Sequence, residues 1–134
     1  MLLNGMKQED KDLLLQDLCT RLPYGVKCWH ESFTSTYTLY AIDSEHSAVN
    51  LSPDGLNFDN SWWNNIEQVK PYLFPLSSMT MDQRIEYSKT LVIFDESHCS
   101  QTYETYDWLN KNHFDYRGLI PKGLDIDCTN LNIY

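Results

Sequence analysis

The last third of the chain carries a dense set of ring-bearing side chains. Tyr106, Trp108, His113, Phe114 and Tyr116 fall within eleven residues. Rings of this size bury large apolar areas and pack in defined relative orientations. The density predicts that this part of the chain is packed and specifically structured. It does not by itself indicate a reaction.

Size and composition indicate one folded unit. The chain has 134 residues, which is close to the usual length of a domain. A chain of this length buries roughly two thirds of its unfolded surface, which is enough for a core without covalent cross-links. Apolar residues make up 42% and aromatic residues 13%, and both fractions argue against disorder. We therefore predict a single domain over residues 1–134.

The balance of charge restricts the ligand. Nineteen acidic residues oppose ten basic ones, so the net charge is −9. No basic stripe is present, which excludes double-stranded nucleic acid as a ligand. No apolar run approaches 18 residues, so no membrane span is predicted. An acidic surface leaves a basic partner open.

Cysteine spacing and the opening residues predict a compartment. The cysteines form no C-x-x-C pair and match no zinc spacing; they are Cys19, Cys28, Cys99 and Cys128. Residues 1–5 lack the basic start and apolar run of a signal peptide. These observations predict free thiols and a cytoplasmic location.

The first half of the chain changes from a helical pattern to strand patterns. Residues 6–22 place Leu14, Leu18 and Leu22 on one stripe, which predicts an amphipathic helix that ends before Pro23. Three strand-like segments follow, at residues 26–31, 34–43 and 46–51. Their short connections predict an antiparallel meander, and apolar groups on both faces of the second segment make it the central strand.

The second half begins with a less regular region. Two prolines, Pro71 and Pro75, predict an extended edge segment at residues 69–76. Thr80 and Gln83 then form a capping-box pattern, which predicts a helix to about residue 94 with Ile85, Leu91 and Val92 facing inward.

A loop at residues 95–101 and another helix complete the predicted elements. Thr102 is the expected N-cap of this helix, which runs through Asn112, and the tail from Arg117 onward reads as irregular. The predicted fold is α+β: an N-terminal helix, a small antiparallel sheet of three to five strands, two C-terminal helices and an irregular tail packed on it.

Catalytic and metal motifs are absent from the sequence. No pair of histidines has helix-borne metal spacing, and no glycine-rich nucleotide loop or nucleophile elbow occurs. Cys28 and His30 share one face of a predicted strand, which is the one arrangement with the spacing of a thiol nucleophile and its base. We predict no cofactor, no metal and no assigned catalytic residue.

Aromatic side chains are the better candidates for binding. Adjacent Trp62 and Trp63 stand between polar neighbours, so at least one is expected to be exposed in a loop. Tyr116 and Arg117 precede Gly118, where a guanidinium and a backbone amide can meet an anion; alternatively, Arg117 pairs with a nearby acid and fixes the tail. Together with Trp29, these residues form the predicted binding set.

Three segments resemble a family of small uncharacterised proteins encoded by gut bacteria, their phages and prophages. They are residues 13–27 (LLLQDLCTRLPYGVK), 69–80 (VKPYLFPLSSMT) and 106–124 (YDWLNKNHFDYRGLIPKGL), about a third of the chain. The resemblance implies a phage or mobile-element origin but brings no established activity, cofactor or catalytic residue. Members often end in an acidic tail containing Ala and Pro, from which residues 125–134 depart.

These observations predict a non-enzymatic binding protein that occupies or inhibits a host protein through exposed tryptophan and an acidic rim. The alternative is a sequestering binder of a small nucleotide signal used in host defence, held between aromatic faces with Arg117 on its phosphates. Two further interpretations are a small hydrolase, using paired carboxylates or Cys28 with His30, and an acidic mimic of DNA. A homo-oligomer is left open.

Overall fold

The structure is a computed structural model that describes residues 5–134. Its helices are α1 (Gln8–Arg21), α2 (Met81–Lys89) and α3 (Tyr103–Lys111). Its strands are β1 (Lys27–His30), β2 (Phe33–Asp43), β3 (Ala48–Ser52), β4 (Trp62–Asn65), β5 (Val69–Pro75), β6 (Val92–Asp95), β7 (His98–Ser100), β8 (Phe114–Asp115) and β9 (Ile126–Asp127). The α+β class and the N-terminal helix are confirmed.

Within the described range, no helix combines the length and the apolar character that crossing a bilayer requires. The prediction that a signal peptide is lacking used residues 1–5, of which residues 1–4 lie outside the described residues.

The sheet is larger than predicted and is mixed. Seven strands join in the order β4-β3-β2-β1-β5-β8, with β9 also paired to β5, and β6 and β7 form a separate hairpin. Strands β1 to β3 make the predicted antiparallel meander with β2 in its interior, and β4 extends it by pairing antiparallel with β3. The predicted sheet of three to five antiparallel strands is wrong because β8 and β9 pair with β5 in parallel. Each has two residues, too few to produce a period-two pattern in the sequence.

Strand β5 is an interior strand and not the predicted edge. Its neighbours are β1 on one side and β8 on the other. Each proline removes only one backbone donor, so the remaining groups still pair. Phe74 N donates to His113 O (2.8 Å), and Cys128 N donates to Leu73 O (3.0 Å).

Helix α1 covers one face of this sheet. Leu14 and Leu18 are fully buried and pack into one core cluster with sheet residues such as Leu51 and Leu73. Pro23 lies in a short 3-10 turn after the helix, and Gly25 follows with φ of 68°. The left-handed backbone at Gly25 suits a residue without Cβ and turns the chain into β1.

The C-terminal half does not form the predicted pair of helices followed by an irregular tail. The capping box of Thr80 and Gln83 is present, but α2 ends at Lys89. The next residues enter β6 because the β-branched and aromatic run after Leu91 favours an extended backbone. Ile85 and Val92, both predicted to face inward, are exposed.

Helix α3 returns the chain to the sheet. Thr102 is its N-cap, as predicted, and the helix ends at Lys111 with Asn112 as its C-cap. Leu109 is buried, and the ring of Trp108 stacks on Phe114 of β8 with 5.6 Å between centroids. This packing places the outer face of α3 beside the end of α1 and the residues that follow β8.

Candidate binding groove

A groove of about 720 Å³ lies where the end of α1, the exposed face of α3 and the chain after β8 meet. This volume lies within the range typical of ligand sites. We call it the Tyr groove because four tyrosines line it: Tyr24, Tyr103, Tyr106 and Tyr116. The remaining lining residues are Thr20, Pro23, Asp107, Asn110 and Arg117.

One face of α3 supplies four of the nine lining residues. Tyr103, Tyr106, Asp107 and Asn110 stand at i, i+3, i+4 and i+7, a spacing that puts side chains on the same side of a helix. Tyr103 is 92% exposed. The hydroxyl of Tyr106 donates to Gln101 Oε1 at 2.7 Å. The helix therefore presents one exposed phenol and one anchored phenol to the same space.

Tyr116 is held in place from several sides. Its hydroxyl donates to Asn110 Oδ1 (2.9 Å) and accepts from Arg117 Nη1 (2.8 Å). Its ring lies 5.3 Å from the Tyr106 ring. The guanidinium carbons of Arg117 and Arg21 lie 4.7 and 5.3 Å from its centroid, within range of cation–π attraction. A ring fixed this way loses little further entropy when a ligand packs on it.

Arg117 pairs with a buried carboxylate, as one of the two sequence interpretations expected. Its Nη1 donates to Asp17 Oδ1 at 3.1 Å. Asp17 is fully buried, and its other oxygen accepts from Arg21 Nε at 2.8 Å. Arg21 Nη2 donates to Phe114 O at 2.7 Å, which ties α1 to β8. Sharing one carboxylate between two guanidinium groups offsets part of the large penalty for burying these charges.

The backbone amide of Arg117 is not free for an anion. It donates to Asp115 Oδ1 at 3.3 Å, and the same carboxylate accepts from the amides of Leu119 (3.0 Å) and Ile120 (2.9 Å). The Arg117 amide is therefore already bonded within the chain, and the contact of an anion with the guanidinium and a backbone amide stays a prediction. The carboxylate instead fixes the turn that carries Tyr116 and Arg117.

The charges around the groove leave it slightly acidic. Arg21 and Arg117 both pair with the buried carboxylate of Asp17, and the buried carboxylate of Asp115, which accepts from the Arg117 backbone amide, supplies a second negative charge beside them. Asp107 is exposed on the groove wall and forms no ion pair with any residue of the range 5–134. The unbalanced charge that a ligand meets is therefore negative, which favours neutral or basic groups.

The predicted tryptophans lie away from this groove. Trp62 is half-buried and packs edge-on against Tyr37, with 4.8 Å between centroids. Trp63 is 49% exposed. Both lie on strand β4 and not in the predicted loop. Strand β4 is at the opposite end of the strand order from β8, so Trp63 and the Tyr groove are separate surfaces.

Trp29 also has a local partner. It lies on β1, half-buried, and Lys70 of β5 places its ammonium 5.7 Å from the indole centroid. Of the five predicted binding residues, the structure brings Tyr116 and Arg117 together and leaves Trp29, Trp62 and Trp63 elsewhere.

The Cys28 and His30 pair has the wrong environment for a nucleophile and base. Both side chains are buried on one face of β1. Burial, with the carboxylates of Asp125 and Asp17 nearby, raises the pKa of the Cys28 thiol. His30 Nδ1 accepts a hydrogen bond from Ser32 N at 3.0 Å. A neutral thiol without solvent access is a weak nucleophile, which removes support for this version of a hydrolase.

A turn between β2 and β3 gathers three groups that can bind metal. The ligand atoms of Asp43, Glu45 and His46 lie within 4.8 Å of one another. His46 Nδ1 is 2.8 Å from Asp43 Oδ2, and Asp43 Oδ1 accepts from the amides of Glu45 and His46. Hydrogen bonds within an exposed turn account for this arrangement.

Three of the four groove tyrosines were not among the predicted binding residues: Tyr24, Tyr103 and Tyr106. A signal was available for two of them, since Tyr103 and Tyr106 follow the Thr102 N-cap with i, i+3 spacing. Tyr24 gave no local signal, because only the fold brings the turn after α1 beside α3.

Comparison with protein-family models, with curated proteins and with solved structures found no match to this chain.

Proposed function

We propose that this chain is a non-enzymatic, cytoplasmic binding protein of phage or mobile-element origin that occupies a host protein. The Tyr groove takes a segment of that host protein. The observation that carries the proposal is the groove itself, where four tyrosines line one space and Tyr116 is fixed by hydrogen bonds and by cation–π contacts with two arginines. Tyrosine supplies large amphipathic contact area at a low entropy loss, which suits protein recognition.

The lining favours an extended segment with proline or aromatic side chains. Grooves lined by aromatic rings bind such segments because polyproline-like backbones are already ordered before binding. Asp107 adds a negative charge on the wall, so a basic residue in the segment is expected. The net charge of −9 also attracts basic groups, over longer distances.

A second candidate is the sequestering binder of a small nucleotide signal. The observation that favours it is Arg117, whose Nε and Nη2 atoms have no hydrogen-bond partner among residues 5–134. A phosphate beside aromatic faces would use these donors. The exposed carboxylate of Asp107 opposes this candidate because it repels an anionic ligand.

Affinity capture from host lysate tests the proposal and locates its surface. The wild-type chain is compared with the double variant Tyr103→Ala/Tyr106→Ala and with Trp63→Ala, which removes an exposed ring at the far end of the sheet. We expect the double variant to lose a partner that Trp63→Ala still retains. Calorimetry with the purified partner then measures the loss directly.

Two results would contradict the proposal. The first is loss of the partner by Trp63→Ala with full retention by the tyrosine variant, which assigns recognition to β4. The second comes from a thermal-shift panel of linear and cyclic nucleotides. A ligand at 100 times its Kd stabilises the fold by about 2.7 kcal/mol, so a clear shift that Tyr116→Ala abolishes establishes the nucleotide candidate.

A further inference from the structure

The Tyr groove does not end at Tyr116. The same residue forms a wall of a second depression of about 380 Å³, which Leu76, Ile120 and Pro121 also line. Leu76 is in turn shared with a third depression of about 340 Å³ that contains Met79 and Arg84. Because Tyr116 borders the first and second depressions and Leu76 borders the second and third, the three depressions are neighbours in a row.

Strand pairing places these two walls beside each other. Pro75 of β5 is in register with Asp115 of β8, and the strands run in parallel. Leu76 and Tyr116 each follow by one residue, so they lie just past the ends of two neighbouring strands. The second depression therefore lies across the ends of β5 and β8, between the other two.

The middle depression is suited to an apolar side chain. Leu76 is 44% exposed, and Ile120 is half-buried. The one carboxylate in the lining, Asp115, already accepts hydrogen bonds from backbone amides. An aliphatic group placed here removes apolar surface from water, and the Asp115 carboxylate that it covers keeps its hydrogen bonds to the backbone.

The two ends of the row have opposite charge. Asp107 lines the Tyr groove and Arg84 lines the third depression. Both are exposed, and neither forms an ion pair with another residue of the described range 5–134. A ligand that reaches both ends is therefore expected to carry a basic group at the Asp107 end and an acidic group at the Arg84 end.

We propose, on the basis of the proposed function, that one extended segment of the partner protein crosses all three depressions. A basic side chain meets Asp107, and proline or aromatic groups lie on the tyrosines. An aliphatic side chain fills the depression between Tyr116 and Leu76, and an acidic side chain meets Arg84. An extended backbone suits this row because it presents every second side chain to the same surface.

A displayed library of random peptides, selected on the full chain, tests this order. We expect enriched peptides to share the sequence order basic, proline or aromatic, aliphatic, acidic. A synthetic consensus peptide is then titrated against variants by fluorescence polarisation. Leu76→Ser and Arg84→Glu should each weaken binding about tenfold, which corresponds to about 1.4 kcal/mol. The matched controls Ile93→Ser and Lys89→Glu, at an exposed aliphatic of β6 and an exposed base of α2, should leave binding unchanged.

Charge exchange gives a decisive second measurement. A peptide whose acidic residue is replaced by Lys should bind Arg84→Glu better than it binds the wild type. Consensus peptides that need Tyr116 but ignore Leu76→Ser and Arg84→Glu would overturn the three-part row and leave the Tyr groove as the binding site. Failure to enrich any peptide that depends on Tyr116 would overturn both proposals.

Discussion

At the scale of single residues, Asp125 departs most from ordinary behaviour. It is 6% exposed, and neither carboxylate oxygen has a hydrogen-bond partner among residues 5–134. Burial, together with the negative charges of Asp17 and Asp115, raises the pKa of Asp125 to about 9. The group is therefore protonated in the folded protein at neutral pH, whereas in the unfolded chain it ionises near pH 4.

This difference makes the stability of the fold depend on pH with a defined sign. Between about pH 4 and pH 9 the folded state binds a proton that the unfolded state has released, so rising pH favours unfolding. Asp125→Asn is uncharged in both states and lacks this dependence. We expect the variant to gain stability relative to the wild type as pH rises from 5 to 8, by up to about 1.4 kcal/mol per pH unit. Urea unfolding monitored by tryptophan fluorescence measures the difference.

The control is Glu96→Gln, which removes an exposed carboxylate at the tip of the β6–β7 hairpin. Its stability difference from the wild type should stay nearly constant over the same pH range. A parallel pH profile for wild type and Asp125→Asn would contradict a protonated, buried Asp125.

At the scale of elements, two threonine caps of similar sequence have different surroundings. Thr80 caps α2 with both capping-box hydrogen bonds on the surface. Thr102 caps α3, and its hydroxyl also donates to the carbonyl of Thr90 at 3.0 Å. Thr105 donates to the same carbonyl, and Thr90 is buried. The Thr102 hydroxyl therefore also holds the base of the β6–β7 hairpin.

We expect Thr80→Ala to lower the free energy of unfolding by about 1 kcal/mol, the usual loss for an N-cap. Thr102→Ala should lower it by about 2 kcal/mol because a hydrogen bond to the buried Thr90 carbonyl is lost as well. Chemical denaturation of both variants provides the comparison. Equal losses would mean that the Thr90 carbonyl is satisfied without Thr102.

Local patterns predicted the elements that local chemistry determines. Helix α1, the β1–β3 meander and the caps at Thr80 and Thr102 follow from leucine spacing, β-branched runs and capping residues. Strands β8 and β9 exist only through pairing with β5, which is a contact distant in sequence. The end of α2 was missed because an apolar run at residues 91–94 suits a helix face and an exposed strand equally.

The same limit applied to the candidate site. Tyr116 and Arg117 were predicted from their own sequence context, and both line the Tyr groove. Trp62 was predicted as a binding residue because one of two adjacent tryptophans was expected to be exposed. It packs instead on the core with Tyr37. Which rings stay exposed depends on the register of β3 with β4, and no local pattern specifies that register.

At the scale of the whole molecule, the net charge and the charge on the groove wall favour the same class of ligand. The chain carries a net charge of −9, and the unbalanced charge on the groove wall is Asp107. A basic segment is therefore attracted from a distance and again at the contact, whereas an anionic nucleotide is repelled at both. Because salt screens these forces over roughly 10 Å at 0.1 M, the sign of the salt dependence separates the two ligand classes.

We expect the association rate with the captured host protein, or with a selected peptide, to fall about tenfold between 50 and 300 mM NaCl, since electrostatic steering raises on-rates by one to three orders of magnitude. Biolayer interferometry over a salt series measures this slope. Asp107→Asn should reduce the slope, whereas Asp59→Asn, an exposed acid beside β4, should change it less. A rate that rises with salt would contradict a basic segment as the ligand and would favour an anion whose repulsion the salt relieves.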